Sequence, residues 1–125
     1  MGKWKWYGYL DRFDDRYAEE QQMRIVSSVI GEELVKYYSS GKQENINDVV
    51  ERIVSRVRDL PIGVVEVYDV FVDNDKFGFS FNVGNYERMN VIVELFDDRA
   101  EYRIELDSDI KSGYQLFRVD YCSYC

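Results

Sequence analysis

The feature that most limits what this chain can fold into is a change of hydrophobic period near its middle. Ile46, Val49, Val50, Ile53, Val54, Val57 and Leu60 recur at steps of three and four, which places them on one face of a helix. From Val64 onward the apolar residues recur at every second position, the period of a strand. Helical pattern followed by strand pattern, with no alternation between them, points to an α+β domain rather than a parallel α/β one.

The helical half spans residues 15–60. In its first helix, read from about 15 to 39, Met23, Val26, Ile30, Leu34 and Tyr37 share a face. Asp14 and Asp15 are candidates for its N-cap, and Glu19 and Glu20 put negative charge where the helix dipole favours it. Gly41 is suited to the left-handed stop. Gly31 costs about 1 kcal/mol relative to alanine inside a helix, so it marks a close approach to a neighbouring element. The second helix has cap candidates Asn45 and Asn47, a favoured acid-first pair in Asp48 and Arg52, and a stop at Pro61 and Gly63.

The sheet half spans 63–122. Val64–Val72 is apolar on both faces, the pattern of a central or doubly covered strand. Phe77, Phe79, Phe81 and Val83 then alternate with small and polar residues; Met89, Val91, Val93 and Leu95 form the next inward face, and Tyr102, Ile104 and Leu106 the one after. After a looser connection, Ser108 to Gly113, a last strand covers Tyr114–Tyr121. Short turns make these strands antiparallel neighbours. Residues 1–13, with Lys alternating against Trp and Tyr, form a strand or an arm across the core. The expected architecture is one domain over 1–125, with two N-terminal amphipathic helices packed on one face of a four- to five-stranded antiparallel meander sheet.

Composition narrows the function. With 46% apolar and 16% aromatic residues among 125 there is ample material for one core. No apolar run approaches the roughly 20 residues that span a bilayer, and no apolar segment follows the basic N-terminus as in a signal peptide. Trp6 stands where the myristoylation pattern needs Ser or Thr. The expectation is a soluble, cytoplasmic protein. Histidine is absent, which removes Ser-His-Asp and Cys-His catalysis. No phosphate loop or nucleophile elbow occurs, and Asp73-Asn74-Asp75 is followed by Lys76 and Phe77 where a calcium loop needs an oxygen ligand and glycine. No cofactor is expected.

Charge is the strongest positive signal. The net charge of −8 divides into −1 over residues 1–61 (ten Lys/Arg, eleven Asp/Glu) and −7 over 62–125 (six against thirteen). Residues two apart on a strand lie on one face, roughly 6.7 Å apart. Glu101, Glu105 and Asp107 therefore line up with Glu94 and Glu87 of the preceding strand, with Asp97 and Asp98 at the turn. Arg88 and Arg103 are the cations placed to pair with that row. Such a surface repels nucleic acid and anionic membrane and attracts basic protein surfaces.

The expectation is a non-enzymatic protein-binding module. Its acidic sheet face, with Trp4 and Trp6 as aromatic contacts, docks on a basic surface, in one concrete form the cleft of a nucleic-acid-binding effector that it inhibits. Two alternatives stand beside it: a small-ligand-binding domain or minor enzyme with its pocket between the helices and the Phe-bearing strand, and a homodimer joined through the edge of the last strand. Asp69, on the strand face of Val65, Val67 and Phe71, is expected to be partly buried. Cys122 and Cys125 have the spacing of half a zinc site, which only two copies together would complete.

Overall fold

A computed structural model of the chain describes residues 2–12, 17–107 and 114–124. The elements in order are β1 (Lys3–Arg12), α1 (Tyr17–Ser39), α2 (Ile46–Arg58), β2 (Val65–Asp73), β3 (Lys76–Val83), β4 (Met89–Leu95), β5 (Arg99–Leu106) and β6 (Tyr114–Cys122). All six strands join one antiparallel sheet in the order β1-β6-β5-β4-β3-β2. The N-cap candidates Asp14 and Asp15 and the connection from Ser108 to Gly113 lie outside the described residues.

The chain therefore begins at one edge of the sheet and must cross to the other before the meander starts. Five inter-strand steps amount to about 24 Å. A 23-residue helix, about 35 Å long at 1.5 Å per residue, is the obvious bridge. α1 packs on β1, β6 and β5 and against α2, and α2 covers β2. The two helices thus share one face of the sheet, and the core lies between. Met23, Val26, Ile30 and Leu34 of α1 and Val49, Val50, Ile53 and Val57 of α2 are buried there against Phe77, Phe79 and Phe81 of β3. Asn45 caps α2, its side chain accepting from the Asn47 backbone N–H at 2.8 Å. Gly41, at φ 74°, takes the left-handed position after α1, and Lys42 N–H closes the turn onto the Tyr37 carbonyl at 2.9 Å.

The anticipated close approach at Gly31 is real. A Cβ there would lie 2.4 Å from Cδ1 of Trp6, so α1 rests directly on the β1 indole. Trp4 packs on Tyr38, ring centroids 4.8 Å apart, and Trp6 stacks on Phe117 at 6.0 Å. Residues 3–12 are accordingly a sixth strand with two core indoles, not an arm.

Three expectations about the sheet need correction. The four to five strands become six, because β1 joins after the last strand; its pairing with β6 is non-local and leaves no mark in the local pattern. The stretch with apolar residues on both faces is an edge strand, β2, not a central one. Its ladder breaks between Tyr68 and Phe71, where Asp69 adopts φ 55°; Val70 and Phe71 are exposed. Asp69 is exposed as well, not partly buried, and bonds Arg88 at 2.7 Å. Finally β6 has neighbours on both sides, so the last strand offers no edge to a symmetry mate.

The pair expected within α2 also forms differently. Arg52 turns from Asp48 to Glu44 (2.7 Å) and to Glu33 of α1 (3.0 Å). Arg56 reaches the other oxygen of Glu33 at 2.8 Å, which makes that buried carboxylate a tie between the helices.

Candidate functional site: the acidic end of the sheet

The helices leave the second face of the sheet open. On it Lys76, Glu94, Glu101 and Arg118 stand opposite one another on successive strands. Beside them runs a shallow groove of about 560 Å³ over Ile92 and Leu116. The row is thus positive at both ends and negative at its centre. Arg99 bonds both Glu101 and Asp98, and Arg103 lies 3.7 Å from Glu105. The acidic row is thus interrupted by cations: Arg103 pairs within it as expected, and Arg99, Lys76 and Arg118 join it as well. The two-residue period of a strand places the acids on one face, but the register across strands decides that Lys76, Arg99 and Arg118 stand among them.

The register also separates the acids into two groups. Glu105 stands opposite Asn90, and Asp107 accepts a hydrogen bond from the Asn90 side chain at 2.9 Å. Asn90 Oδ1 in turn accepts from Ser80 (2.7 Å) and from Arg88 Nε (3.1 Å), while Arg88 also bonds Asp69 and lies over the Tyr68 ring. Glu87 is half-buried just before β4. Through Arg88 and Asn90, the side chains of Asp69, Ser80 and Asp107 are tied together from β2 to the end of β5.

At the other end the topology brings together what the sequence keeps apart. The β2–β3 turn, with Asp73 and Asp75, lies beside the β4–β5 turn, with Asp97 and Asp98; Leu95 N–H donates to the Asp75 carbonyl at 2.7 Å. A hollow of about 360 Å³ is shared by Asp73, Asp75, Glu94 and Phe96, and a second of about 320 Å³ continues past Asp97 to Lys42 and Tyr37. Asp97 is fully exposed, touched only loosely by Lys42 at 3.4 Å, and Asp98 is 77% exposed. Half-buried Leu95 and Phe96 sit between the turns, with the Arg99 guanidinium 4.5 Å from the Phe96 ring centre. The result is an apolar centre rimmed by carboxylates. Asp73 and Asp75 belong to that rim, although in the sequence they stood out only as the start of a calcium loop that Lys76 and Phe77 break off.

Tyr38 holds this end in place. Its hydroxyl lies 2.7 Å from the Phe96 carbonyl and 2.8 Å from that of Arg99, donating one proton between them. Burial, then the neighbouring Tyr37, Asp97 and Asp98, push the hydroxyl well above the ordinary tyrosine range, so it remains a donor. Tyr38→Phe is expected to cost about 1.5 kcal/mol in denaturant unfolding and to speed amide exchange at Phe96 and Arg99. An unchanged midpoint and unchanged exchange would show that the turn stands without it.

The remaining candidates fall elsewhere. Trp4 and Trp6 are partly buried, face the helices and pack against the core, away from the acidic face of the sheet. Cys122 is disulfide-bonded and so supplies no free thiolate for a shared metal; Cys125 lies outside the described residues. Phe77, Phe79 and Phe81 line none of the cavities at the groove, the two turns or the flank of α1. Among the described residues no helix is long and apolar enough to cross a membrane. In comparisons with protein-family models, curated proteins and solved structures, nothing matches this chain.

Proposed function

We propose that this protein is a non-enzymatic binding module that presents the acidic end of its sheet to a basic surface of another protein. The observation that carries the reading is the juxtaposition of two acidic turns around Leu95 and Phe96, with Asp97 and Asp98 exposed. A rim of this kind steers a basic partner and fixes its orientation, while the apolar centre supplies the contact area. The net charge of −8 works in the same direction at longer range and opposes binding to nucleic acid itself. In its concrete form the partner is a nucleic-acid-binding effector whose basic cleft is occupied.

The test is the triple variant Glu94→Lys, Asp97→Lys, Asp98→Lys, with Glu51→Lys on the exposed side of α2 as control. Against a partner captured from the native host, the triple variant is expected to lose about tenfold or more in affinity at low salt, with the difference shrinking as salt rises. The control is expected to bind as the parent does. Equal affinity and equal salt dependence for triple variant and parent would remove the acidic end from the interface.

A further inference from the structure

The sheet has two edges, and they are built differently. β2 breaks its own ladder with the bulge at Asp69, a device that keeps an edge from pairing with another chain. β1 has its register shift only at its end, between Leu10 and Arg12; from Lys3 to Leu10 each residue pairs in unbroken register with β6. Among the described residues, no strand faces the other side of β1. Beside it, against the flank of α1, lies a hollow of about 430 Å³ lined by Trp6, Ser28, Val35, Glu32 and Lys36. A regular free edge with a side-chain hollow next to it is the arrangement that accepts an added strand: the backbone gives affinity and the hollow selects the side chain.

We propose that the added strand is β1 of a second copy, antiparallel and centred on Trp6. In that register each residue faces the one whose number completes a sum of twelve. Trp6 meets Trp6 of the copy at the two-fold axis, and the two indoles share the hollows beside them; an aromatic pair at this spacing is a strong interface anchor. Trp4 stands opposite Gly8, an exposed position where a Cβ would come within 3.2 Å of Phe117 and 3.4 Å of Trp6. The glycine therefore leaves room that the indole can cover.

The outward residues agree. Lys3 and Lys5 would ordinarily blunt an edge by repelling a like-charged strand. Here Lys5 falls opposite Tyr7 and Lys3 opposite Tyr9, so no lysine faces a lysine. Lys5 already lies 5.9 Å from the Tyr7 ring of its own chain, and the same cation–π contact is available across the axis. The result is an isologous dimer with one continuous sheet and all helices on one side. It leaves the acidic turns uncovered, so it stands or falls separately from the docking role.

Sedimentation of the unmodified protein over a wide concentration range is the first measurement. The expected result is a species of twice the 14.9 kDa chain mass that dissociates on dilution. A monomer at every concentration overturns the proposal without recourse to any variant. The register is tested in a Cys122→Ser, Cys125→Ser background carrying either Lys5→Cys or Tyr7→Cys, each verified as folded by its circular dichroism. Oxidising an equimolar mixture of the two proteins is expected to give a cross-linked heterodimer, while each alone gives none. Cross-linking of Tyr7→Cys alone, or of neither pairing, overturns the Trp6-centred strand exchange.

Discussion

Replacing Glu33 with alanine is expected to destabilise the protein by about 3 kcal/mol, the low end for breaking a buried ion pair. Glu33 is 2% exposed, and its two oxygens take hydrogen bonds from Arg52 (3.0 Å) and Arg56 (2.8 Å), with Lys36 a further 3.5 Å contact. The arginines are about two-fifths exposed, so water recovers part of their solvation when the carboxylate is removed. That is why the low end of the range applies. Burial pushes the Glu33 carboxyl up, but the hydrogen bonds from Arg52 and Arg56, with the charge of Lys36, outweigh it and hold the group below its ordinary value.

The sign of the pH dependence follows. Because the folded state holds the proton less tightly than the unfolded one, Glu33 contributes fully above the unfolded value of about 4.3. The contribution fades as pH falls through the lower, folded value. Unfolding free energies of the parent and of Glu33→Gln are therefore expected to differ at neutral pH and to converge in acid below that window. A constant difference down to strongly acidic pH would mean that the carboxylate's charge is not what ties α1 to α2.

Gly78→Ala is expected to cost about as much, roughly 3 kcal/mol, by overpacking rather than by loss. Gly78 is buried at the centre of β3, opposite Phe71 of the edge strand, whose ring lies over it. A Cβ at Gly78 would stand 2.6 Å from Cε1 of Phe71 and 2.4 Å from the Val91 carbonyl oxygen. The ring can swing away; the carbonyl belongs to the β3–β4 ladder and cannot. The double variant Phe71→Ala, Gly78→Ala is thus expected to recover only part of the loss in denaturant titration. Full recovery would place the whole conflict on the ring, and no loss in Gly78→Ala would deny the close approach altogether.

These two sites show how unevenly the sequence exposes its physics. The stripe from Ile46 to Leu60 could be read directly, because a helix needs no information beyond its own spacing. The same holds for the alternation through Phe77–Phe81, Met89–Val93 and Tyr102–Leu106, all of which bury the residues expected. Val64–Val72 was misleading because an edge strand with a bulge buries one face beneath α2 and exposes valine and phenylalanine on the other. Nothing in its composition distinguishes that from a strand covered twice. Trp4 and Trp6 carried the same ambiguity, since an indole suits a core and an interface equally well.

The two helical stripes and the inward face of each meander strand are determined by the sequence alone, because each depends on residues within a few positions of one another; that a strand precedes the helices, which were expected at the N-terminus, is not. Which strands form the edges, which cation stands beside each carboxylate, and which turns become neighbours were decided by the tertiary structure. Those properties depend on where β1 attaches and on the register across all six strands. Closing β1 onto β6 brings together residues more than a hundred positions apart, and no local pattern along the chain encodes that distance.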